Sequence, residues 1–200
     1  AAILGIREVT TDLPVIAHMT FDDTMRSVTG TSVRIFATVM DDLDVDVVGM
    51  NCSVGPQAML PLFQEMAAFT RKPLSVEPNA GLPELVNGTL RYNTPPQEFA
   101  LFVEDFIELG ASILGGCCGT TPEHIRLIRH FADRRRPVAR AVTPPAALTS
   151  RTEYRPFVPF AIVGERINPA SRPTFQQELQ DRDFGRLLEE AQAQRHEGAA

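Results

Sequence analysis

The sequence is poor in cysteine: its 200 residues contain three, Cys52, Cys117 and Cys118. An odd number argues against a disulfide framework, because such a framework pairs its cysteines. The C-x-x-C pairs that are typical of four-ligand structural zinc sites are also missing. The sequence contains instead two adjacent cysteines, set between glycines in the block Gly115–Pro122.

Long apolar runs and an excess of positive charge are absent as well. No apolar stretch approaches the roughly 20 residues that cross a bilayer. The formal net charge is −6, whereas a nucleic-acid-binding protein normally carries a basic face. With 44% hydrophobic and 22% charged residues, as in ordinary folded domains, we expect a soluble, cytoplasmic protein that binds neither membranes nor nucleic acids. The acidic run 41–46 and the arginine triplet 134–136 are expected to face water.

Short apolar segments alternate with amphipathic segments along the first two thirds of the chain. Buried parallel strands are predicted at 15–21, 45–52, 73–79 and 111–118. Helices are predicted at 33–43, 57–69, 96–109 and 122–134. Thr121 followed by Pro122 is typical of a helix start. Because strands that alternate with helices pair in parallel through right-handed crossovers, we predict an α/β fold.

Polar residues gather where the predicted strands end. The residues at these ends include His18, Asn51, Cys52, Glu77, Asn79, Cys117 and Cys118. In a (β/α)8 TIM barrel this rim carries the active site. A whole barrel takes about 250 residues, and four strand–helix units are present, so we predict about half of a barrel.

A proline-rich stretch divides the sequence. Residues 137–159 contain five prolines and little periodicity, which is typical of an interdomain linker. A new strand is predicted at 160–168, followed by an amphipathic helix over 175–197. We therefore predict a partial first domain over 1–136 and the first strand–helix unit of a second domain over 160–200. The sequence is interpreted as an internal segment of a longer protein.

The adjacent cysteines predict a turn in the backbone. Neighbouring side chains of a regular strand point to opposite faces, so both sulfurs reach one centre only where the chain turns. Gly115, Gly116 and Gly119 are expected to supply this turn, because glycine tolerates unusual dihedral angles. With Cys52, three thiolates would surround one zinc ion and leave a fourth position open, as in catalytic sites. Three buried free thiols are the alternative, although the position at the rim favours zinc.

Four motifs resemble a known family. The segments Gly49–Pro56, Glu77–Pro83 and Gly115–His124 resemble the homocysteine S-methyltransferase domain of the cobalamin-dependent methionine synthase family. The segment Val163–Pro169 is similar to the opening of the pterin-binding domain of the same family. The resemblance covers nearly the whole chain. It implies the C-terminal half of one TIM barrel, then a linker and the first strand–helix unit of a second TIM barrel.

The resemblance also implies roles for individual residues. Cys52, Cys117 and Cys118 would bind Zn²⁺, and Asn79 would fill the fourth position when substrate is absent. Homocysteine would bind this zinc as a thiolate and take a methyl group from methylcobalamin. The cobalamin would lie on another domain of the same longer protein and be recharged by methyltetrahydrofolate.

Further residues are candidates for contacts with the substrate or the pterin. Asn51, His18 and Glu77 are predicted to bind substrate, Glu77 through the amino group of homocysteine. A satisfied buried histidine and sheet-end packing are the alternatives for His18 and Glu77. Glu165 and Asn168 are predicted to contact the pterin, with plain turn formation as the alternative.

Three functions remain open from the sequence. The first is methyl transfer from methylcobalamin to homocysteine, for which the isolated segment is expected to be inactive. The second is a cobalamin-independent homocysteine methyltransferase that uses betaine or S-methylmethionine. The block 160–168 argues against it, since such enzymes need no pterin domain. The third is a zinc-binding fragment without catalytic activity.

Overall fold

The computed structural model describes residues 1–133 and 135–199. Arg134, which ends the predicted helix 122–134 and opens the arginine triplet, lies outside the described residues. The chain divides into a larger unit, Ala1–Pro144 with Thr149–Tyr154, and a smaller unit, Pro145–Leu148 with Arg155–Ala200. Among the described residues, no helix combines the length and the apolar character needed to cross a membrane.

The larger unit alternates strands and helices as predicted. Its helices are α1 Ala2–Val9, α2 Val33–Asp42, α3 Pro56–Ala68, α4 Pro96–Ala100, α5 Val103–Glu108 and α6 Pro122–Ala132. Its strands are β1 Ile16–Met19, β2 Val47–Asn51, β3 Leu74–Glu77, β4 Pro83–Val86, β5 Thr89–Tyr92 and β6 Ala111–Leu114. A parallel sheet has the order β1-β2-β3-β6, which confirms the prediction of an α/β fold with a parallel sheet.

The two faces of this sheet differ in chemistry because successive side chains of a strand alternate between faces. On one face Val48, Met50, Leu74 and Val76 are buried in the core with side chains of α2, α3 and α5. Each fully buried large apolar side chain stabilises the fold by about 1.5–3 kcal/mol. The register aligns His18 with Gly49, Gly49 with Ser75, and Asn51 with Glu77, so polar residues share the opposite face.

Gly49 allows the side chain of His18 to lie across β2. A Cβ atom at Gly49 would lie 2.4 Å from His18 Nε2 and 2.6 Å from the Ser75 carbonyl oxygen. Any residue larger than glycine would therefore push the imidazole off the polar face.

An antiparallel hairpin that the sequence analysis did not predict lies between β3 and α4. It pairs β4 with β5, and its turn residues Asn87 and Gly88 have φ values of 50° and 76°. Positive φ at both central residues is the type I′ geometry that suits a two-residue hairpin loop. The predicted helix 96–109 is also divided, because Leu101 and Phe102 separate α4 from α5.

One carboxylate of the acidic run, Asp41, does not face water, contrary to the prediction, whereas Asp46 is exposed but hydrogen-bonded. Asp41 is buried and accepts hydrogen bonds from the Thr70 hydroxyl and the Arg71 backbone N–H. Asp46 accepts a hydrogen bond of 2.7 Å from the Val15 N–H and pairs with Arg7. Each of these two carboxylates joins two segments of the chain beside the sheet through hydrogen bonds.

The structure of the predicted linker and second domain differs from the prediction in both strands and helices. The hairpin of β7 Ala147–Thr149 and β8 Tyr154–Pro156 lies inside the predicted linker 137–159. The strand predicted at 160–168 is wrong, because Ile162 forms only an isolated bridge with Ala199. Two helices, α7 Pro173–Gln180 and α8 Gly185–His196, replace the single predicted helix 175–197.

Candidate metal centre

Three loops that follow neighbouring strands carry the candidate centre. Cys52 follows β2 directly, Asn79 lies just beyond β3, and the cysteine pair lies just beyond β6. Backbone hydrogen bonds join these loops: the Cys52 N–H donates to the Glu77 carbonyl at 3.0 Å, and the Ala80 N–H donates to the Cys118 carbonyl at 2.9 Å. The fold thus brings together chain segments that are 66 residues apart.

The three cysteine sulfurs form a compact cluster of free thiols. Cys118 Sγ lies 3.7 Å from Cys52 Sγ and 3.9 Å from Cys117 Sγ, and all three sulfurs lie within 4.8 Å of one another. Tetrahedral zinc with Zn–S bonds of about 2.3 Å places its sulfurs about 3.8 Å apart. The donor set and its spacing therefore fit a zinc ion with one coordination position left for another ligand.

The residues that form the backbone turns at the three cysteines differ in part from those predicted. Cys52 and Ser53 have left-handed φ values of 65° and 67°. A left-handed φ costs a non-glycine residue about 1 kcal/mol or more, so it persists where surrounding contacts hold it. Residues with such strain cluster at functional sites. Of the three glycines in the second loop, only Gly119 is left-handed, with a φ of 80°. Gly116 instead permits close packing, because a Cβ there would lie 2.4 Å from Thr120 Cγ2.

The surroundings of Cys52 and Cys117 shift the pKa values of these two thiols in opposite directions. Burial opposes ionisation of Cys52, but hydrogen bonds from the Ser53 N–H, from the other two thiols and from Asn79 outweigh it and lower its pKa. Burial, with a further contribution from Cys52, raises the pKa of Cys117 to about 11. Three thiols that crowd one another do not all ionise without a compensating charge. A bound dication supplies that charge and deprotonates its thiol ligands.

Two asparagines hold the sulfur cluster. The buried Asn79 accepts a hydrogen bond from the Cys118 N–H at 3.0 Å through Oδ1. Asn51 Nδ2 lies 3.9 Å from Cys117 Sγ and donates to it. Both predicted site residues therefore contact the cysteines directly.

His18 and Glu77 lie beside Asn51 on the polar face of the sheet. Burial lowers the pKa of His18, while the nearby Glu77 carboxylate and a hydrogen bond with Asn51 partly oppose this shift. His18 Nε2 is buried and has no hydrogen-bond partner among the residues that the structure describes. This ring nitrogen differs from the satisfied buried histidine that was the alternative prediction.

The two residues predicted to contact the pterin lie in the smaller unit. Asn168 Nδ2 donates to Glu165 Oε1 at 3.0 Å, and Asn168 Oδ1 accepts from the Ala170 N–H at 2.9 Å. Both side chains are exposed and form a local turn, rather than ending a strand as predicted.

One residue at the centre was missed from the sequence. Tyr92 ends the unpredicted hairpin, and its ring covers Gly119, where a Cβ would lie 2.2 Å from Tyr92 Cγ. The dipeptide Asn87–Gly88 between two short β-prone segments is a strong hairpin signal and would have predicted β4 and β5.

Known proteins resemble the chain in both sequence and fold. Methionine synthase of Mycobacterium tuberculosis (strain ATCC 25618 / H37Rv) is 35% identical over 211 residues, and that of Mycobacterium leprae (strain TN) is 33% identical over 212 residues. Both alignments cover 100% of this chain but only 17% and 18% of the relatives, so the chain spans less than a fifth of their length.

Two solved structures of the homocysteine methyltransferase MmuM from Escherichia coli, in oxidized and metallated form, share the fold at 22% identity. Their TM-scores are 0.52 and 0.51, over 64% of this chain and 40% and 39% of theirs. The model of the family "Homocysteine S-methyltransferase" matches residues 1–132, which contain all three cysteines and both asparagines of the centre. The chain belongs to the homocysteine S-methyltransferase family.

Proposed function

We propose that the protein to which this chain belongs methylates homocysteine to give methionine. The observation that carries the proposal is the cluster of three cysteine sulfurs, with spacings of 3.7 Å and 3.9 Å that match tetrahedral zinc. Membership of the family and the likeness to methionine synthases along the whole chain support homocysteine as the substrate. In the overall reaction, the thiol of homocysteine loses its proton and its sulfur gains a bond to the methyl carbon.

Cys52, Cys117 and Cys118 are the proposed zinc ligands, and Asn79 is the proposed fourth ligand in the absence of substrate. Bound zinc would keep the sulfur of homocysteine as a nucleophilic thiolate near neutral pH. Asn79 Oδ1 already accepts the Cys118 N–H, and its second lone pair is available to a metal. Because Asn79 Oδ1 also accepts this hydrogen bond, it suits a ligand that leaves the zinc when the sulfur of the substrate binds.

The polar face of the sheet is the proposed site for the amino-acid part of homocysteine. Glu77 offers a carboxylate to the substrate's ammonium group, and its side chain lies beside Gly115 of the cysteine loop and near His18. His18 Nε2 offers a free hydrogen-bonding position, and Asn51 links this face to Cys117. The distance between the two ends of the substrate would then select homocysteine over a simple thiol.

Methylcobalamin is the proposed methyl donor, held by another domain of the same longer protein and recharged by methyltetrahydrofolate. The support is the motif Val163–Pro169 and the match to methionine synthases beyond residue 132. In this proposal residues 1–136 complete a barrel with a preceding half, residues 137–159 link the domains, and residues 160–200 open the pterin-binding domain. Glu165 and Asn168 would contact the pterin there.

Zinc content of the full-length protein tests the central proposal. The parent protein is expected to hold one zinc at this centre. Cys52→Ser, Cys117→Ser and Cys118→Ser should each lose most of it, because serine is a poor zinc ligand. Ser53→Ala, which alters a neighbouring side chain and keeps all thiols, should retain it. A full equivalent of zinc in all three cysteine variants would contradict the proposal.

The methyl donor is tested by assaying methionine formation from homocysteine with each candidate donor. We expect activity of the full-length protein with methylcobalamin and none with betaine or S-methylmethionine. The reverse result would favour the cobalamin-independent alternative. A zinc-loaded full-length protein without activity on any donor would favour the non-catalytic alternative.

A further inference from the structure

His124 is a buried histidine to which the proposed function gives no role. It is the third residue of α6, is 4% exposed, and packs edge-on against the ring of Phe99 at a centroid distance of 5.5 Å. Helix α6 begins shortly after the loop that carries Cys117 and Cys118. A polar ring buried at this place needs partners for both of its nitrogen atoms, because an unpaired buried polar group is costly.

The partners of His124 determine which ring nitrogen carries the proton. Nδ1 lies 3.1 Å from the Thr121 backbone nitrogen, and because a backbone N–H only donates, Nδ1 is the acceptor. Nε2 lies 3.2 Å from the Thr94 carbonyl oxygen, and because a carbonyl only accepts, Nε2 carries the proton and donates. The neutral ring with its proton on Nε2 satisfies both contacts.

These two hydrogen bonds close a ring of contacts through the cysteine loop. The Thr94 N–H donates to the Ala80 carbonyl, and the Ala80 N–H donates to the Cys118 carbonyl, each at 2.9 Å. His124 joins Thr94 to Thr121, which lies on the same loop as Cys118. The ring of contacts therefore connects the loop after β6 with the loop after β3 and with the end of the hairpin of β4 and β5.

The backbone of Cys118 is held on both sides at this ring of contacts. Its N–H donates to Asn79 Oδ1 at 3.0 Å, and its carbonyl accepts from the Ala80 N–H. Cys118 is exposed, so packing around its side chain does little to fix the sulfur. The place of Sγ then depends on the direction of the Cα–Cβ bond, which the held backbone determines.

We propose that His124 is a positioning residue that, through its Nε2–H bond to Thr94, holds the backbone of Cys118 where the sulfur binds zinc. The proposal rests on the proposed function, in which Cys118 is one of three zinc ligands. Mutation of a group that supports a metal ligand typically costs about 10–100-fold in metal affinity or activity. Because His124 acts on Cys118 through two further backbone hydrogen bonds, we expect an effect at the low end of this range.

Two substitutions of His124 in the full-length protein separate its two hydrogen bonds. His124→Asn places an oxygen near the position of Nδ1, where it accepts from the Thr121 N–H, but is too short to reach Thr94. His124→Gln places an amide N–H near the position of Nε2, where it donates to the Thr94 carbonyl. Competition with a zinc chelator, at a temperature at which every variant is folded, measures the affinity for zinc. We expect about tenfold weaker binding for His124→Asn and a change of less than about threefold for His124→Gln.

A cobalt(II) spectrum and a control variant separate positioning of the sulfur from a general loss of stability. With cobalt(II) in place of zinc, His124→Asn should change the visible absorption of the tetrahedral metal centre. A variant that only destabilises the fold leaves this spectrum unchanged as long as the protein is folded. His130→Asn alters an exposed histidine of the same helix and should change neither the zinc affinity nor the spectrum.

Hydrogen exchange in the parent protein tests the same contacts without a mutation. If the ring of contacts supports the zinc ligand, bound zinc supports the ring in return, because coupling between two sites is reciprocal. Removal of zinc should therefore speed exchange at the amides of Thr94 and Thr121 more than along α2. Equal exchange at these amides with and without zinc would contradict the proposal, and this test remains if His124→Asn fails to fold.

The possible outcomes separate this proposal from the proposed function. If the parent holds one zinc and His124→Asn binds it as tightly, with the same cobalt spectrum, the role of His124 is refuted and the zinc centre stands. Equal weakening in His124→Asn and His124→Gln would also refute this role, since the hydrogen bond to Thr94 would then not be the cause. If the parent holds no zinc at the cysteines, the proposed function fails and the role of His124 fails with it.

Discussion

At the scale of single residues, Asp41 shows how a buried carboxylate is stabilised away from the metal centre. Burial alone would raise its pKa, but hydrogen bonds from the Arg71 backbone and side chain and from the Thr70 hydroxyl, with the charge of Arg71, outweigh burial and lower it. The ion pair to Arg71 Nη2 is 2.7 Å long. A lowered folded-state pKa means that the charged form stabilises the fold above the unfolded pKa of about 4.

Asp41→Asn should therefore destabilise the protein near neutral pH by about 1–3 kcal/mol, because it removes the charge from a buried hydrogen-bonded group. The parent should lose this contribution as pH falls below about 4 and through the lowered pKa of Asp41, so the gap between parent and variant should narrow there. Urea unfolding at neutral and acid pH measures both effects. The exposed neighbour offers a matched control: Asp42→Asn should change stability by less than about 0.5 kcal/mol. A gap that persists unchanged at acid pH would contradict this account.

At the scale of elements, the sequence predicted those features that depend on residues close together in the chain. Thr121 caps α6 and Pro122 begins it, as predicted, and the His124 side chain accepts from the Thr121 N–H at 3.1 Å to complete a capping box. The four parallel strands were predicted because their buried residues form short apolar runs between turn residues. These features depend on residues that are close in the chain.

Elements that depend on partners distant in the chain were harder to predict. The apolar segment 160–168 resembles a strand, but a strand needs a neighbour to accept its hydrogen bonds, and Ile162 finds only one bridge. Strands β4 and β5 differ, because they pair locally; they expose almost all of their side chains, so the Asn87–Gly88 turn indicates them and apolar alternation does not. The cysteine cluster was predictable from strand-end positions, whereas the contact of Tyr92 with Gly119 depends on how the hairpin folds over the centre.

At the scale of the whole molecule, the proposed zinc ion would tie together parts of the chain that folding must first assemble. Cys52 and Cys118 are 66 positions apart and leave two different strands of the parallel sheet. The unfolded chain does not hold these sulfurs together, so zinc binds the folded state more tightly and its binding free energy adds to stability. The loops joined at the centre would then be the most sensitive to metal removal.

Zinc removal should lower the melting temperature of this domain in the full-length protein. A metal present at a thousandfold excess over its dissociation constant stabilises the folded state by about 4 kcal/mol. In a domain of this size such a loss corresponds to a fall in melting temperature of roughly 10 °C. Calorimetry with and without a zinc chelator measures the fall, and readdition of zinc should reverse it. Cys52→Ser should melt at a lower temperature from the start and respond little to the chelator, because its centre holds little zinc. An equal response of parent and variant would place the stabilising metal elsewhere in the protein and contradict a structural contribution from the three cysteines.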